Sequence, residues 1–469
     1  MAGRQIVALA IFIILARILG PATFGLFAMA LVIVGLAEQT VAEGLAEGLV
    51  QRETIEDGHI DAAFWGIIGF AVVVSLIAVG LAHPVALAFG EPRVEALIYW
   101  LTPIILLTAL GTIPSVILQR RFAFRALAVR TTGSVAVGGV VGLAMAFSGY
   151  GIWSLVGHQI AMRVAAIAVV WWSVPWRPGL RGTRRHFQDL WKFALNMLIL
   201  RSLSMVHQRL VIFLIGVHLG AEAVGFFNLA IRCSDVLTAV FVMPATRVAF
   251  PLFSRVRVEP ARMRRAFATF IRLVPLVSAP AFAGAALVGP DLVPVVFGAE
   301  WSPAVWVFVI YISNGILVAP HMVSSAAVRS AGKPHWLSVA TGCWAAGTLA
   351  AVLAFGSFGI VWPAAILVIG TALTLPVHLV FIRKVTGLTA IEVGREIAPT
   401  VGGLLVMAAA VLAWRHIVPA AMGDAYVLAS SVAVGAGTYI LWHIIVNRDE
   451  MLHLREHFRS LRSPAGNAE

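Results

Sequence analysis

The sequence predicts an all-α integral membrane protein with about 14 transmembrane helices, arranged as two homologous six-helix lobes followed by two further helices. Three observations predict this fold: an apolar composition, a long succession of apolar segments, and an internal repeat with an offset of about 200 residues. Hydrophobic residues make up 60% of the chain and charged residues 12%, whereas charged residues approach a quarter of an ordinary soluble domain. The composition therefore excludes a soluble globular protein.

Fourteen apolar segments follow one another, and most are long enough to cross a bilayer as an α-helix of about 20 residues. They cover approximately residues 5–20, 24–46, 62–82, 96–118, 126–148, 151–172, 193–216, 222–247, 268–289, 303–327, 336–356, 359–381, 398–418 and 424–446. Most of the 34 Lys and Arg residues lie on the side of the membrane that holds both termini. The positive-inside rule makes that side the cytoplasm. Anionic phospholipid therefore accounts for the net charge of +12, and no nucleic acid partner is expected.

One sequence motif, which we call the repeated phrase, occurs twice in the chain, each time between two apolar segments. Its copies are offset by 200 positions: Leu19, Gly20, Gly25, Phe27 and Ala30, then Leu219, Gly220, Gly225, Phe227 and Ala230. Two repeated dipeptides are offset by 208 positions: Phe89-Gly90 with Phe297-Gly298, and Gly151-Ile152 with Gly359-Ile360. Because six helices return the chain to its starting side, we predict parallel repeats related by an axis along the membrane normal.

The repeat also predicts the domain organisation. The expected parts are an N-lobe at 1–172, a cytoplasmic interlobe loop at 173–191, a C-lobe at 192–382, two further helices at 383–446 and a basic amphipathic cytoplasmic tail at 447–469. Subtracting the offset from the start of helix seven puts the start of helix one about eight positions before residue 1. We therefore expect the natural N-terminus to be longer by about ten residues.

The connecting loops are too short to hold a catalytic domain. None of the three lysines is followed by Ser or Thr, which excludes a phosphate-binding P-loop, and no HExxH pair is present. We therefore expect a protein that is not an enzyme, with no catalytic residues, no cofactor and no metal site.

Several longer motifs resemble one known family. They are Ile14-Leu15-Ala16-Arg17-Ile18-Leu19-Gly20-Pro21, Leu118-Gln119-Arg120-Arg121-Phe122, Gly149-Tyr150-Gly151-Ile152-Trp153, Gly225-Phe226-Phe227-Asn228-Leu229 and Phe250-Pro251-Leu252-Phe253. Together they resemble the polysaccharide-biosynthesis flippases of the multidrug/oligosaccharidyl-lipid/polysaccharide exporter superfamily, over about residues 4 to 445.

The resemblance implies a transporter of the bacterial inner membrane. Its substrate would be an undecaprenyl-diphosphate-linked oligosaccharide, moved from the inner to the outer leaflet during capsule, exopolysaccharide or O-antigen assembly. A polysaccharide polymerase and glycosyltransferases would be its partners. Two alternatives stay open: a cation-coupled exporter of small drug-type molecules from the same superfamily, and a membrane scaffold of a polysaccharide-assembly complex that transports nothing.

Arginines inside the predicted helices are the candidates for substrate binding. A charged side chain near the bilayer centre costs on the order of 3 kcal/mol and normally faces a wet cavity or a partner. Arg163 lies in helix six, and Arg201 and Arg209 lie in helix seven, at the expected seam between the lobes. Because guanidinium groups bind phosphate oxygens through two parallel hydrogen bonds, we expect these three arginines to hold the diphosphate.

Arg17 and Arg52 are the next candidates for the diphosphate. The alternative for every intramembrane arginine is that it snorkels or pairs internally. Internal pairing is favoured for Arg232, because Asp235 lies on the same face of its helix.

Carboxylates in the predicted helices are candidates for ion coupling. Glu38 and Glu43 in helix two, and Asp235 in helix eight, could bind a proton or another cation that drives transport. The alternative is that these carboxylates form salt bridges with arginines at the inner surface.

Overall fold

The computed structural model describes residues 2–51, 56–418 and 422–446, with side chains except at 2–3, 43–48, 50–51, 124, 184 and 189–205. Regular secondary structure in these residues is helical, with no strand. The α-helices are α1 (Ala2–Gln51), α2 (Asp57–Phe89), α3 (Arg93–Leu101), α4 (Pro103–Arg120), α5 (Phe124–Phe147), α6 (Trp153–Ser173), α7 (Arg184–Leu237), α8 (Met243–Val256), α9 (Pro260–Leu287), α10 (Gly289–Phe297), α11 (Val305–Ser330), α12 (Pro334–Phe355), α13 (Val361–Thr386), α14 (Ala390–Ile417) and α15 (Asp424–Val446). A π-helical turn, Thr238–Val242, joins α7 to α8, and short 3₁₀ helices cover Ala299–Ala304 and Gly356–Phe358. The predicted tail at 447–469 lies outside the described residues.

The chain is a multi-pass membrane protein, as its composition predicts, but the count of 14 helices is not confirmed. The described residues contain 12 helical stretches that are long and apolar enough to span a membrane. Two of these stretches, Arg4–Ala42 and Val206–Val256, each take the place of two predicted segments. At a rise of 1.5 Å per residue, the 39 residues of the first stretch extend ~58 Å, about twice the hydrocarbon thickness. Each long stretch is therefore long enough for two crossings.

A glycine interrupts each of the two long helices. Gly20 in α1 has φ 71° and ψ 169°, and Gly220 in α7 has φ 80° and ψ −178°. Side chains with a Cβ rarely adopt a positive φ, so glycine permits the break. Pro21 follows the first break, where its missing N–H and fixed φ suit the start of a new helical segment.

The glycines of the predicted repeat share one backbone property. Both members of each repeated glycine pair have a positive φ: Gly20 and Gly220 (71° and 80°), Gly90 and Gly298 (67° and 106°), and Gly151 and Gly359 (56° and 138°). Gly20 and Gly220 also match in ψ, so they form equivalent breaks, whereas Gly90 and Gly298 differ in ψ (19° and 162°) and share only the need for glycine.

The two copies of the repeated phrase contact each other directly. A Cβ atom added to Gly25 would overlap the carbonyl oxygen of Ala221, and one added to Gly225 would overlap the carbonyl oxygen of Pro21. The contact is reciprocal, because the fifth residue after each kink packs against the backbone at the other kink. Glycine at both positions is required by this close approach of backbone to backbone.

An aromatic cluster packs beside the two kinks. Trp301 is 1% exposed, and its indole N–H donates a hydrogen bond to the carbonyl oxygen of Ala16, at 3.1 Å. Its ring lies 6.1 Å from that of Phe24 in the first copy and 6.3 Å from that of Phe226 in the second, measured between centroids. One buried side chain therefore contacts both kinked helices.

The chain divides into two compact units. Unit 1 consists of Met1–Val236, Val296–Val307 and Thr341–Leu367, and unit 2 consists of Leu237–Val295, Phe308–Ala340 and Val368–Glu469. The predicted lobe boundaries stay predictions. Within unit 2, the Tyr439 hydroxyl of α15 donates to the carbonyl oxygen of Leu276 in α9, at 2.9 Å, so the last helix is fastened to α9.

The contact between the kinks yields a test of the repeat. We expect Gly25→Ala to destabilise the protein by about 1–3 kcal/mol, the usual cost of overpacking, because the new methyl group would meet a backbone carbonyl that cannot swing away. Thermal unfolding of the purified protein measures this loss. Gly80→Ala is the matched control, since no heavy atom lies within 4 Å of a Cβ at that helical position. Equal melting temperatures for the two variants would contradict the close contact.

Candidate functional site

A half-buried ion pair lies in unit 1, between α1 and α6. Arg163, midway along α6, donates from Nη2 to Oε1 of Glu38 in α1, at 2.5 Å. The hydroxyl of Thr108 in α4 donates to the same carboxylate oxygen, at 2.8 Å. The Glu38 side chain is 16% exposed and that of Arg163 is 32% exposed. Three helices therefore converge on one carboxylate, and its two partners hold it in place.

Arg209 of α7 lies against α1 beside this pair. A Cβ atom at Gly35 would be 2.7 Å from Nη2 of Arg209, so the guanidinium group lies directly on the α1 backbone. Gly35 is one turn before Glu38, and the charges of Arg209 and Glu38 interact. Glycine at position 35 therefore opens the space that brings a second guanidinium group close to the carboxylate.

Further basic groups on α5 and α6 face this region. Arg130 and His158 are both half-buried, and both interact electrostatically with Arg163. The two helices approach closely because Gly138 leaves no side chain between them: a Cβ there would be 2.8 Å from the carbonyl oxygen of His158. Small residues commonly permit such close helix packing in membranes.

Positive charge exceeds negative charge in this cluster. We define the arginine cluster as Glu38, Thr108, Arg130, His158, Arg163 and Arg209. It holds three guanidinium groups and one carboxylate. Nε of Arg163 is buried and has no hydrogen-bond partner among the described residues. A half-buried site with surplus guanidinium donors is suited to a compact anion such as a phosphate.

The structure brings Arg163, Arg209 and Glu38 together, but it places two other predicted site residues elsewhere. Arg17 is exposed, and its Cγ is 3.9 Å from the position of a Cβ at Gly298. Asp235 is exposed near the end of α7 and interacts with the charge of Arg232.

Three further predicted residues cannot be placed at the site. Arg52 lies outside the described residues, and the side chains of Glu43 and Arg201 lie outside the described side chains. The predicted roles of all the named site residues stay predictions.

Sequence reasoning did not find Thr108, Gly35, Arg130 or His158. Arg130 carried a visible signal, since it lies six residues inside α5. Thr108 and Gly35 carry no signal of their own, because their roles depend on which helix packs against them.

A pair of histidines in unit 2 was also missed. The rings of His321 in α11 and His378 in α13 stack with centroids 3.6 Å apart. Nδ1 of His378 lies 3.0 Å from the hydroxyl oxygen of Ser324. Polar side chains of this kind commonly link helices within a membrane.

Comparison with known proteins identifies relatives over most of the chain. The model of the family described as "Polysaccharide biosynthesis protein" matches residues 14–306. The succinoglycan biosynthesis transport protein ExoT of Rhizobium meliloti is 26% identical over 305 residues, which are 65% of this chain and 62% of the relative. The lipopolysaccharide biosynthesis protein WzxC of Escherichia coli is 24% identical over 306 residues, with the same two coverages. The matches thus span less than two thirds of the length of these relatives.

A solved structure matches nearly the whole chain. The lipid II flippase MurJ in an inward closed conformation superposes with a TM-score of 0.79 and 12% sequence identity, over 96% of this chain and 98% of that one. At this identity the likeness establishes the fold alone. The fold is thus that of a known flippase.

The ion pair at the centre of the arginine cluster can be tested by a double-mutant cycle. We expect Arg163→Ala and Glu38→Ala to be coupled by about 1–3 kcal/mol, because either change leaves a half-buried charge without its partner. The control pair is Arg262–Glu259, a salt bridge at 3.0 Å whose side chains are 63% and 48% exposed, and it should couple by less than about 1 kcal/mol. Thermal unfolding of the wild type and of the six variants in the two cycles gives both values. Additive effects at positions 38 and 163 would contradict the pair.

Proposed function

The chain belongs to the polysaccharide biosynthesis protein family, and from this premise we propose that it is a flippase for undecaprenyl-diphosphate-linked oligosaccharide. It moves this lipid from the inner to the outer leaflet of the bacterial inner membrane by alternating access. The transported unit supplies the synthesis of a surface polysaccharide. The names of a succinoglycan transport protein and a lipid II flippase among the similar proteins support this class of substrate.

The arginine cluster is the observation that carries the proposal. A lipid-linked diphosphate is a compact anion that must pass through the membrane, so it needs basic groups within the membrane region. Arg163 and Arg209 lie beside the same carboxylate on different helices, within one compact unit. Their guanidinium groups supply the paired donors that phosphate oxygens prefer. Arg201, Arg17 and Arg52 extend this proposed binding path.

Glu38 occupies the place of the substrate anion when no substrate is bound. Its carboxylate accepts from Arg163 and Thr108, which are the same donors that a phosphate oxygen would use. A bound diphosphate displaces Glu38 from Arg163, and the released carboxylate then binds a proton or another cation. Substrate binding and cation binding are coupled in this way, with Glu43 and Asp235 as further coupling sites.

The setting of the proposed function follows from the charge pattern. Both termini lie in the cytoplasm, and the basic residues there contact anionic phospholipid. A polysaccharide polymerase and glycosyltransferases are the partners that use and supply the lipid-linked unit. The protein itself is a carrier and performs no covalent chemistry.

Two other functions compete with this proposal. A small-molecule exporter of the same superfamily would bind cationic drugs, which an acidic cavity suits better than a cluster with surplus arginines. A scaffold that transports nothing would need no charged residues within its helices. The arginine cluster therefore favours the flippase over both.

Deletion of the gene tests the function directly. In a strain without a second flippase, we expect loss of the surface polymer and accumulation of undecaprenyl-diphosphate-linked oligosaccharide on the inner leaflet. Extraction of lipid-linked intermediates and staining for the polymer measure the two effects. Normal polymer with unchanged intermediates would overturn the proposal.

Variants of the arginine cluster test the site. Arg163→Ala or Arg209→Ala should remove a charge-assisted contact worth about 1.5–3 kcal/mol, which lowers the affinity for lipid-linked diphosphate about tenfold to a hundredfold. Lysine at either position should restore binding only in part, because an ammonium group lacks the two-pronged geometry of guanidinium. Glu38→Gln should instead tighten binding, since it removes the competing carboxylate. Binding to purified protein in nanodiscs measures all three changes.

Arg93→Ala is the control for these variants, because Arg93 is exposed at the start of α3 and lies outside the cluster. Each variant is compared at equal amounts of protein in the membrane. Wild-type binding by an Arg163→Ala, Arg209→Ala double variant would move the diphosphate site away from this cluster.

A further inference from the structure

The connection between α6 and α7 is fastened to the first turns of α2. We call residues 174–183 the interlobe strap. The backbone N–H of Gly179 donates to Oδ1 of Asp61, at 3.1 Å, and the indole N–H of Trp65 donates to the carbonyl oxygen of Gly179, at 2.9 Å. Arg181 forms a salt bridge with Asp57, at 3.3 Å. The strap therefore follows α2 through several specific contacts, all within unit 1.

Three potential metal ligands meet at the end of this strap. Glu56 immediately precedes α2, His59 lies in its first turn, and His186 lies at the start of α7. One ligand atom from each residue lies within 4.8 Å of the other two. Nε2 of His186 is 3.4 Å from Oε2 of Glu56, and the two imidazole rings lie 4.4 Å apart between centroids.

We propose that Glu56, His59 and His186 form a site for a divalent transition metal ion, with Zn²⁺ the ion that the ligands fit best. Two imidazoles and one carboxylate are a common set for Zn²⁺, whereas Ca²⁺ and Mg²⁺ prefer oxygen ligands alone. Ligands about 2.1 Å from a tetrahedral ion are ~3.4 Å apart, which matches the separation of His186 and Glu56. The sequence predicted no metal site, because His186 is far along the chain from Glu56 and His59.

The surroundings orient His186 for this role. Its Nδ1 lies 3.2 Å from the N–H of Thr183 and 3.1 Å from the hydroxyl oxygen of Thr183. The backbone N–H of Thr183 donates to Nδ1, whereas the hydroxyl oxygen can accept from Nδ1 when that nitrogen carries the ring proton. When Nδ1 donates to the hydroxyl oxygen, the lone pair of Nε2 is free to bind a metal ion, as in metal sites where an outer group fixes the ligand.

Gly58 permits the approach of His186 to α2. A Cβ atom at position 58 would be 2.6 Å from Nδ1 of His186, so any larger residue there would displace the ring. The side chain of Glu56 is 75% exposed, whereas that of His186 is 19% exposed. The site is therefore open to solvent on the carboxylate side and enclosed on the imidazole side, which gives a metal ion a path of entry.

A bound ion would join the start of α2 to the end of the strap. Of the three ligands, Glu56 and His59 come from one element and His186 from another, so binding would hold the strap at its junction with α7. This role does not depend on the substrate, so the metal site can be tested separately from the proposed flippase activity.

Zinc titration of the purified full-length protein tests the site. The protein, without a polyhistidine tag, is stripped with a chelator and titrated with Zn²⁺ in competition with a chromophoric chelator. We expect one tight site per chain. His186→Asn or Glu56→Gln should weaken it by about tenfold to a hundredfold, and Gly58→Ala should weaken it while leaving all three ligands in place.

His83→Asn is the matched control. His83 pairs with Glu95 at 3.0 Å, but these two residues belong to no three-ligand group among the described residues. This variant should bind Zn²⁺ like the wild type. Because the chain has 13 histidines, only affinity lost in the site variants and kept in the control counts as support.

Hydrogen exchange provides the second measurement. Zn²⁺ should slow exchange of the backbone amides at 177–186 in the wild type and leave the His186→Asn variant unchanged. This variant replaces a half-buried side chain, so it avoids the risk of misfolding that the more buried His59 carries. Equal Zn²⁺ affinity in the wild type and a Glu56→Gln, His186→Asn double variant would overturn the proposal and leave the group as an ordinary ion pair.

Discussion

The reciprocal contact between the two kinks is the constraint on which the arginine cluster depends. Gly25 and Gly225 each meet a backbone carbonyl of the other kinked helix, so α1 and α7 approach as closely as two helices can. Ten residues further along α1, Gly35 again leaves room, and there the guanidinium group of Arg209 fills the space. Without the first contact, α7 would stand off from α1, and Arg209 could not reach the region of Glu38.

This packing explains how charge is kept inside an apolar protein. A lone guanidinium group in the hydrocarbon region is costly, and the cost falls when a carboxylate and a hydroxyl group are placed against it. Glu38 forms a salt bridge with Arg163 and interacts with the charge of Arg209 at longer range. One carboxylate therefore offsets part of the charge of two guanidinium groups. The remaining surplus of positive charge is tolerable only if water or an anion enters the cluster. In the proposed function, the diphosphate of the substrate is that anion.

The sequence predicted the fold class, the repeat and the family, because each follows from patterns that are local or periodic. Apolar segments reveal helices without knowledge of their neighbours, and repeated Leu-Gly phrases reveal turns that only glycine permits. The count of 14 spans stays unconfirmed, because the predicted segments 5–20 and 24–46 lie in one helix whose break at Gly20 does not separate them as a loop would. The arginines of the cluster were visible as charges in apolar segments, whereas Thr108 and Gly35 act only through helices that pack against them from distant parts of the chain.

The contacts of the interlobe strap were likewise not predictable from the sequence, because they join distant parts of the chain. From the sequence, residues 173–191 are predicted only as a basic loop. In the structure, Asp61 and Trp65 of α2 form hydrogen bonds with the backbone of Gly179 in the strap. His186 also contacts Glu56, which lies more than a hundred residues earlier in the sequence. A segment that joins two helices must follow any movement between them. Hydrogen bonds and a salt bridge hold the strap along α2, and its junction with α7 is where the two histidines and the carboxylate converge.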